Sequence, residues 1–266
     1  MAILAEGECR MNCSELKERF RKELQRLQYY RQFRLQTKEY STKKGISLYY
    51  SLIKKVDGEL KVKYIGRRNK TVDMISACKY LDKSIKMIES GASVRDVDPN
   101  YLRHQLSKPY QTLPKFIYDL AGVINFEEWM SKPRIFNDNY PKKKCFATKS
   151  GWMVRSKSEG MIADLLLEYR VPFVYEEVID VDGYRIAPDF ILLSPVNYSE
   201  LIYEHFGKMD DEEYVKKANW KIRQYIKAGY IPGVDLIITY ECRDLPLTRQ
   251  TLKKIFDLHF GRAICM

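Results

Sequence analysis

No apolar run in the 266 residues approaches the ~18–20 needed to cross a bilayer, and mean hydropathy is -0.43. Met1 to Glu8 lacks the basic region followed by an apolar stretch that marks a secretory signal. Cysteine is scarce and scattered. Of Cys9, Cys13, Cys78, Cys145, Cys242 and Cys265 only the first two are close neighbours, so a disulfide scaffold is excluded and the second pair of a zinc ribbon is missing. There is no internal repeat, zinc finger or helix-turn-helix spacing. These absences lead to the expectation of a soluble cytoplasmic protein with reduced thiols and no membrane partner. With 45% hydrophobic and 30% charged residues, 13 Gly and 10 Pro, the composition is globular rather than low-complexity. The length suits one large domain or two modest ones.

What is abundant is positive charge, and it is uneven. Residues 1–150 carry 31 Lys and Arg against 17 Asp and Glu, a net +14, while residues 151–266 carry 15 against 18, a net -3. A cationic first half beside a mildly acidic second half suggests that one holds a polyanion and the other does something else. A well-solvated basic surface accounts for the charge alone equally well. Pro133, Asn137 to Asn139 and the run Pro141-Lys-Lys-Lys-Cys145 read as a connector, placing the boundary near 150.

In the basic region, residues 14–38 contain no Gly or Pro, and Leu16, Phe20, Leu24 and Leu27 form one helical stripe. Ser14 is the expected N-cap. Ile46–Ile53 and Glu59–Ile65 flank Asp57-Gly58, the signal of a primed hairpin turn over 46–66. Lys61 and Lys63 alternate along its second strand, which leads into Arg67, Arg68 and Lys70. These cations, with Tyr49, Tyr50 and Tyr64 interleaved, suit a nucleic-acid backbone with stacking, although tyrosines in strands serve packing more often. Residues 72–90 are a further helix closed by Gly91.

From 151 the pattern is regular. A helix over 156–169 precedes a strand over 173–181, a turn at Asp182-Gly183, and a strand over 184–193. A strand over 201–206, a helix over about 210–228 stopped by Gly229, a strand over 234–240 and a helix over about 247–260 follow. The expected class is α/β in the broad sense (α+β), a mixed sheet flanked by helices in the order αβββαβα, preceded by the basic helical and hairpin region.

Four polar residues stand where apolar ones belong. Glu159 shares its helical face with Ile162, Ala163 and Leu166, although Ser156-Lys-Ser-Glu159 also fits a capping box. Asp189 in Pro188-Asp189-Phe190 and Glu204 in Tyr203-Glu204-His205 interrupt apolar strands. Two carboxylates on neighbouring strands repel unless a cation lies between them, and Mg²⁺ or Mn²⁺ suits oxygen ligands at ~2.0–2.1 Å.

Glu159, Pro188-Asp189 and Glu204 in this order resemble the PD-(D/E)xK nuclease superfamily over about residues 150–245. Tyr203-Glu-His-Phe-Gly207, Tyr225 followed by Gly229, and Leu236 to Glu241 are similar to a helicase-associated branch. The resemblance implies a restriction-endonuclease-like αβββαβ core. It also implies Mg²⁺ held by Asp189 and Glu204 with help from Glu159, and a lysine two residues after the second carboxylate. That position is Phe206. Lys221, on the stripe of Tyr214, Ala218 and Tyr225, is the candidate replacement; Lys217 and His205 are lesser ones. Arg155 and Lys157, near the start of the active-site helix, are candidate phosphate contacts.

The expected activity is Mg²⁺-dependent phosphodiester hydrolysis in DNA, in recombination, repair, restriction or mobile-element defence, with a homodimer or a complex with other DNA-processing proteins as possible assemblies. A non-catalytic DNA-binding protein on a degenerate nuclease fold and an RNA-processing nuclease remain open alternatives.

Overall fold

The computed structural model describes residues 12–42 and 45–261, which leaves Cys9, Cys265 and the segment Met1 to Glu8 outside the described residues. The chain divides into two compact units, residues 1–125 and 126–266. This division falls earlier than the expected boundary near 150, because Trp129 is buried with Val174, Ile191 and Leu193 of the second unit. Counted at the structural division, the first unit carries 25 Lys and Arg against 14 Asp and Glu, net +11, and the second 21 against 21.

In the first unit α1 (Cys13–Arg26) buries Leu16, Phe20 and Leu24. Its N-cap is Asn12 rather than the expected Ser14. The Asn12 side chain accepts from the Glu15 N–H at 2.9 Å, and Glu15 accepts from the Asn12 N–H at 3.3 Å, a reciprocal cap. The helix ends well short of residue 38. A 3₁₀ turn over Gln28–Gln32 leads into β1 (Arg34–Thr42), which pairs antiparallel with β2 (Gly45–Val56) from Arg34↔Ile53 to Thr42↔Gly45. Thr37, Tyr40 and Thr42 are weak helix formers that fit a pleated strand, and absence of Gly and Pro does not outweigh them. β3 (Glu59–Gly66) completes an antiparallel sheet in the order β1-β2-β3. The expected hairpin turn is present, with Asp57 and Gly58 both at positive φ (53° and 84°). α2 (Lys70–Glu89), capped by Asn69, packs on α1 through Phe20 and Tyr80, ring centroids 5.8 Å apart. Two short helices, α3 (Pro99–Leu102) and α4 (Lys115–Ala121), close the core.

The second unit opens with α5 (Phe126–Met130) and a two-residue ribbon of β4 (Phe146–Ala147) and β5 (Met153–Val154). Then come α6 (Lys157–Glu168), β6 (Phe173–Tyr175), the hairpin β7 (Ile179–Val181) and β8 (Tyr184–Ile186), and β9 (Phe190–Leu193). β10 (Glu200–Phe206), α7 (Glu212–Lys227), β11 (Leu236–Tyr240) and α8 (Arg249–Phe260) complete it. The sheet order is β11-β10-β9-β6, with β10 and β11 parallel and the other neighbours antiparallel. It is a mixed sheet with helices on both faces. α6 and α8 cover one face over Phe173, Phe190 and Tyr203, with Phe256 of α8 in the same cluster; Tyr225 of α7 packs on the other with Ile202 and Leu236.

Both expected long strands are broken. The first stops at Tyr175, where Glu176 takes φ 51°; the second splits at Ala187 to Asp189. Pro188 has no N–H to give a ladder. The break frees the Asp189 side chain at the head of β9.

Candidate active site

The ladder of β9 and β10 ends at Phe190↔Tyr203, and extending that register by one residue sets Asp189, just before β9, opposite Glu204. Residues directly opposite in an antiparallel pair share a face. Asp189 Oδ2 accepts the His205 backbone N–H at 2.7 Å, which ties the two strand ends together. Glu204 is 1% exposed. Its Oε1 accepts from the Tyr225 hydroxyl at 2.5 Å and lies 2.6 Å from Lys221 Nζ.

Lys221 comes from α7, whose N-cap Asp211 accepts from the N–H groups of Glu213 and Tyr214 at 3.0 and 3.1 Å. The expected stripe is real: Tyr214, Ala218, Lys221 and Tyr225 turn toward the sheet. The Tyr214 hydroxyl accepts from the Gly207 N–H at 3.2 Å, and Lys221 Nζ donates to the Ala187 carbonyl at 3.0 Å. The ammonium thus bridges the broken strand at Ala187 and the carboxylate of β10, where a strand lysine at 206 is lacking. Phe206 instead is buried and stacks on Tyr240.

Asp189 retains some exposed surface, yet protein surrounds its carboxylate closely enough for burial to dominate its chemistry. Burial, followed by the Glu204 carboxylate, pushes its pKa well above the usual carboxylate range; Lys221 pulls the other way and Glu159 adds to the rise. Burial works against the charge on Lys221, but Glu204 and Asp189 outweigh it, so its pKa is raised and it stays protonated. Two carboxyl groups thus compete for one ammonium, and Asp189 takes the proton more readily than a free carboxylate does.

Glu159 points inward beside the buried Ile162, Ala163 and Leu166, as expected, and also serves the helix start. Its Oε1 accepts from Ser156 Oγ at 2.8 Å, and its Oε2 from the Arg155 N–H at 3.1 Å and the Tyr175 hydroxyl at 2.7 Å. α6 lies on the sheet face opposite α7. Among the described residues no three His, Cys, Asp or Glu side chains gather as a metal-ligand group. Glu159 is accordingly a neighbour that Asp189 feels electrostatically, and Asp189 with Glu204 is the closer pair. An oxygen-only pair of carboxyl groups fits Mg²⁺ or Mn²⁺, which are commonly held through one or two carboxylates plus water.

Several expected phosphate contacts are otherwise engaged. Arg155 makes a two-pronged ion pair with Glu176 (2.5 and 3.0 Å) and donates to the carbonyls of Tyr140 and Asn139. It locks the 139–140 loop to the sheet, with its guanidinium engaged by Glu176 and the two carbonyls. Lys157, the first residue of α6, is exposed. In the first unit Arg68 pairs with Asp73 at 2.6 Å, Arg67 is exposed and lies over the Tyr49 ring at 5.9 Å, and Lys70 is exposed at the start of α2. Lys217 is exposed and does not reach Glu204. The His205 ring lies on the other face, its Nδ1 3.0 Å from Thr239 Oγ1 and its Nε2 3.1 Å from Glu241 Oε1.

Tyr175 and Tyr225 are site residues that the sequence did not single out for chemistry. Burial and the adjoining carboxylates push both hydroxyls up, so they remain donors. A buried tyrosine hydroxyl needs a partner, but among 20 tyrosines that rule alone selects none. No family model, curated protein or solved structure matches this chain.

Proposed function

We propose that the protein is a Mg²⁺- or Mn²⁺-dependent nuclease of the PD-(D/E)xK kind, acting on DNA, with the basic first unit contributing backbone contacts. The observation that carries this reading is Lys221 Nζ at 2.6 Å from Glu204, beside Asp189 in the adjoining strand register. Apart from the separate β7–β8 hairpin, the elements α6, β6, β9, β10, α7 and β11 follow in the order αβββαβ, which supports a restriction-endonuclease-like core.

Asp189 and Glu204 would hold the ion, with Glu159 acting through water. When bound, such an ion supplies Lewis-acid chemistry, acidifying water and drawing charge from the phosphate. The chain's own groups do the rest. The His205 N–H fixes Asp189, the Tyr225 hydroxyl fixes Glu204, and the Lys221 ammonium faces the charge that builds on phosphate oxygens in the transition state.

Incubation of the wild type with linear, circular and branched DNA, with and without Mg²⁺, tests this against Asp189→Ala and Glu204→Ala. Metal-dependent cleavage lost in both variants, with DNA binding retained, is the expected outcome. Variants that lose binding in parallel would make the carboxylates structural. One observation favours a second reading, a non-catalytic DNA-binding protein on a degenerate site: Glu204 Oε1 is already engaged by both Lys221 and Tyr225. Calorimetric titration with Mn²⁺ alone separates the two, since the degenerate site would take up none.

A further inference from the structure

A cleft of about 820 Å³ opens beside Lys221, and nothing in the proposed chemistry uses it. Its walls are Lys217, Trp220 and Lys221 of α7, Arg185 and Ala187 from the β8 segment, and the loop around Asn137. Lys217, Trp220 and Lys221 stand at i, i+3 and i+4, one face of a helix. Trp220 is 47% exposed and held on edge by Tyr184, itself 49% exposed, with ring centroids 5.4 Å apart at 85°. The edge contact with Tyr184 orients Trp220 and leaves aromatic surface open at the cleft wall.

Three cations line the cleft, Lys217, Lys221 and Arg185, against one carboxylate, Asp138. Among the described residues neither Lys217 nor Arg185 is committed to an ion pair. The cleft also ends at the amine placed beside Glu204, since Lys221 and Ala187 belong to both. Aromatic rings interleaved with cations along a groove are the chemistry that holds an unpaired strand, bases stacking while phosphates meet ammonium and guanidinium groups. A base inside a duplex is already stacked on both sides and cannot offer its face to Trp220.

We infer that this cleft takes an unpaired nucleotide flanking the scissile phosphate, its base stacked on Trp220 and its phosphates against Lys217 and Arg185. The substrate would then be single-stranded, flapped or branched rather than a continuous duplex. This inference rests on the nuclease reading for its position beside the scissile phosphate, but the binding it describes can be read without cleavage.

The test uses the full chain carrying Asp189→Ala, titrated against fluorescein-labelled oligo(dT) and a labelled blunt duplex for affinity by anisotropy, and against the unlabelled strands while tryptophan fluorescence is followed. Of the other two tryptophans Trp129 is buried and Trp152 half-buried, and both remain in Trp220→Leu, so quenching that vanishes in that variant reports this cleft. The expected result is quenching by oligo(dT) alone, with about tenfold weaker single-strand binding (about 1.4 kcal/mol) in Trp220→Leu and unchanged duplex binding. Lys217→Glu should weaken both single-strand affinity and its dependence on salt. Trp220→Phe, which keeps a stacking ring, should restore affinity and guards against a folding artefact. No quenching, or equal single-strand affinity in Trp220→Leu and its parent, overturns the inference. If the wild type fails to cleave while quenching and its loss in Trp220→Leu hold, the nuclease reading falls and the strand-binding cleft stands. If cleavage depends on Asp189 while Trp220→Leu binds and cuts single strands normally, the cleft falls and the nuclease reading stands.

Discussion

Lys221 Nζ lies 2.6 Å from Glu204 Oε1, so an ammonium from the middle of a helix neutralises a carboxylate in a central strand. Breaking a buried pair by removing one member costs on the order of 3 kcal/mol, because the remaining charge has no counter-charge. Lys221→Met should lose about that much stability in urea unfolding and also abolish cleavage. Lys221→Arg should recover most of the stability but little of the rate, because a planar fork cannot take the place of a compact ammonium. A Met variant as stable as the wild type would show that the pair contributes nothing.

The surroundings of Asp189 favour its neutral carboxyl over the carboxylate. Without divalent ion, Asp189→Asn should therefore raise the thermal midpoint at neutral pH while removing activity. Millimolar Mg²⁺ should stabilise the wild type and leave Asp189→Asn unmoved. Differential scanning calorimetry at two metal concentrations checks both outcomes.

Tyr225→Phe removes the hydroxyl that donates to Glu204 and nothing else. The loss of one hydrogen bond to a buried carboxylate is expected to cost about 1–3 kcal/mol. If Glu204 acts only when held in place, the rate should fall while substrate affinity stays near normal, giving a kcat effect without a matching KM effect.

Glu241 joins β11 to α6 on the opposite face of the sheet. Burial alone would raise its pKa, but hydrogen bonds from Ser158 Oγ (2.7 Å) and the Leu247 N–H (3.0 Å), with His205 facing it, hold it below 4.5. A carboxylate with a depressed folded-state pKa contributes stability that is present above its unfolded pKa and lost as pH falls through the folded one. Acid unfolding of the wild type should steepen below about pH 4.5, and Glu241→Gln should flatten that limb while lowering stability at neutral pH.

The carboxylates were legible because an Asp after proline and a Glu among Leu, Ile and Tyr violate strand patterning, and Lys221 because it falls on an apolar helical stripe. β1 was not legible. Residues 34–42 carry no breaker, and pairing with β2 decides their conformation, a tertiary effect without a local mark. The split at Pro188 could be read only in part, since a proline demotes a strand without saying which side chain the break frees. The Arg155–Glu176 ion pair was not legible because sequence distance hides it: α6 and β6 lie between the two residues in the chain.

β3 is an outer strand of its sheet, with Leu60, Val62 and Tyr64 all largely uncovered. Such a margin invites another molecule to add its own strand and so seed fibres. Lys61 and Lys63, with Lys54 directly across from Lys61, oppose that by mutual repulsion between copies. At ~1 M salt the repulsion reaches only ~3 Å, so concentrated stocks should cloud as ionic strength rises and clear again on dilution into low-salt buffer.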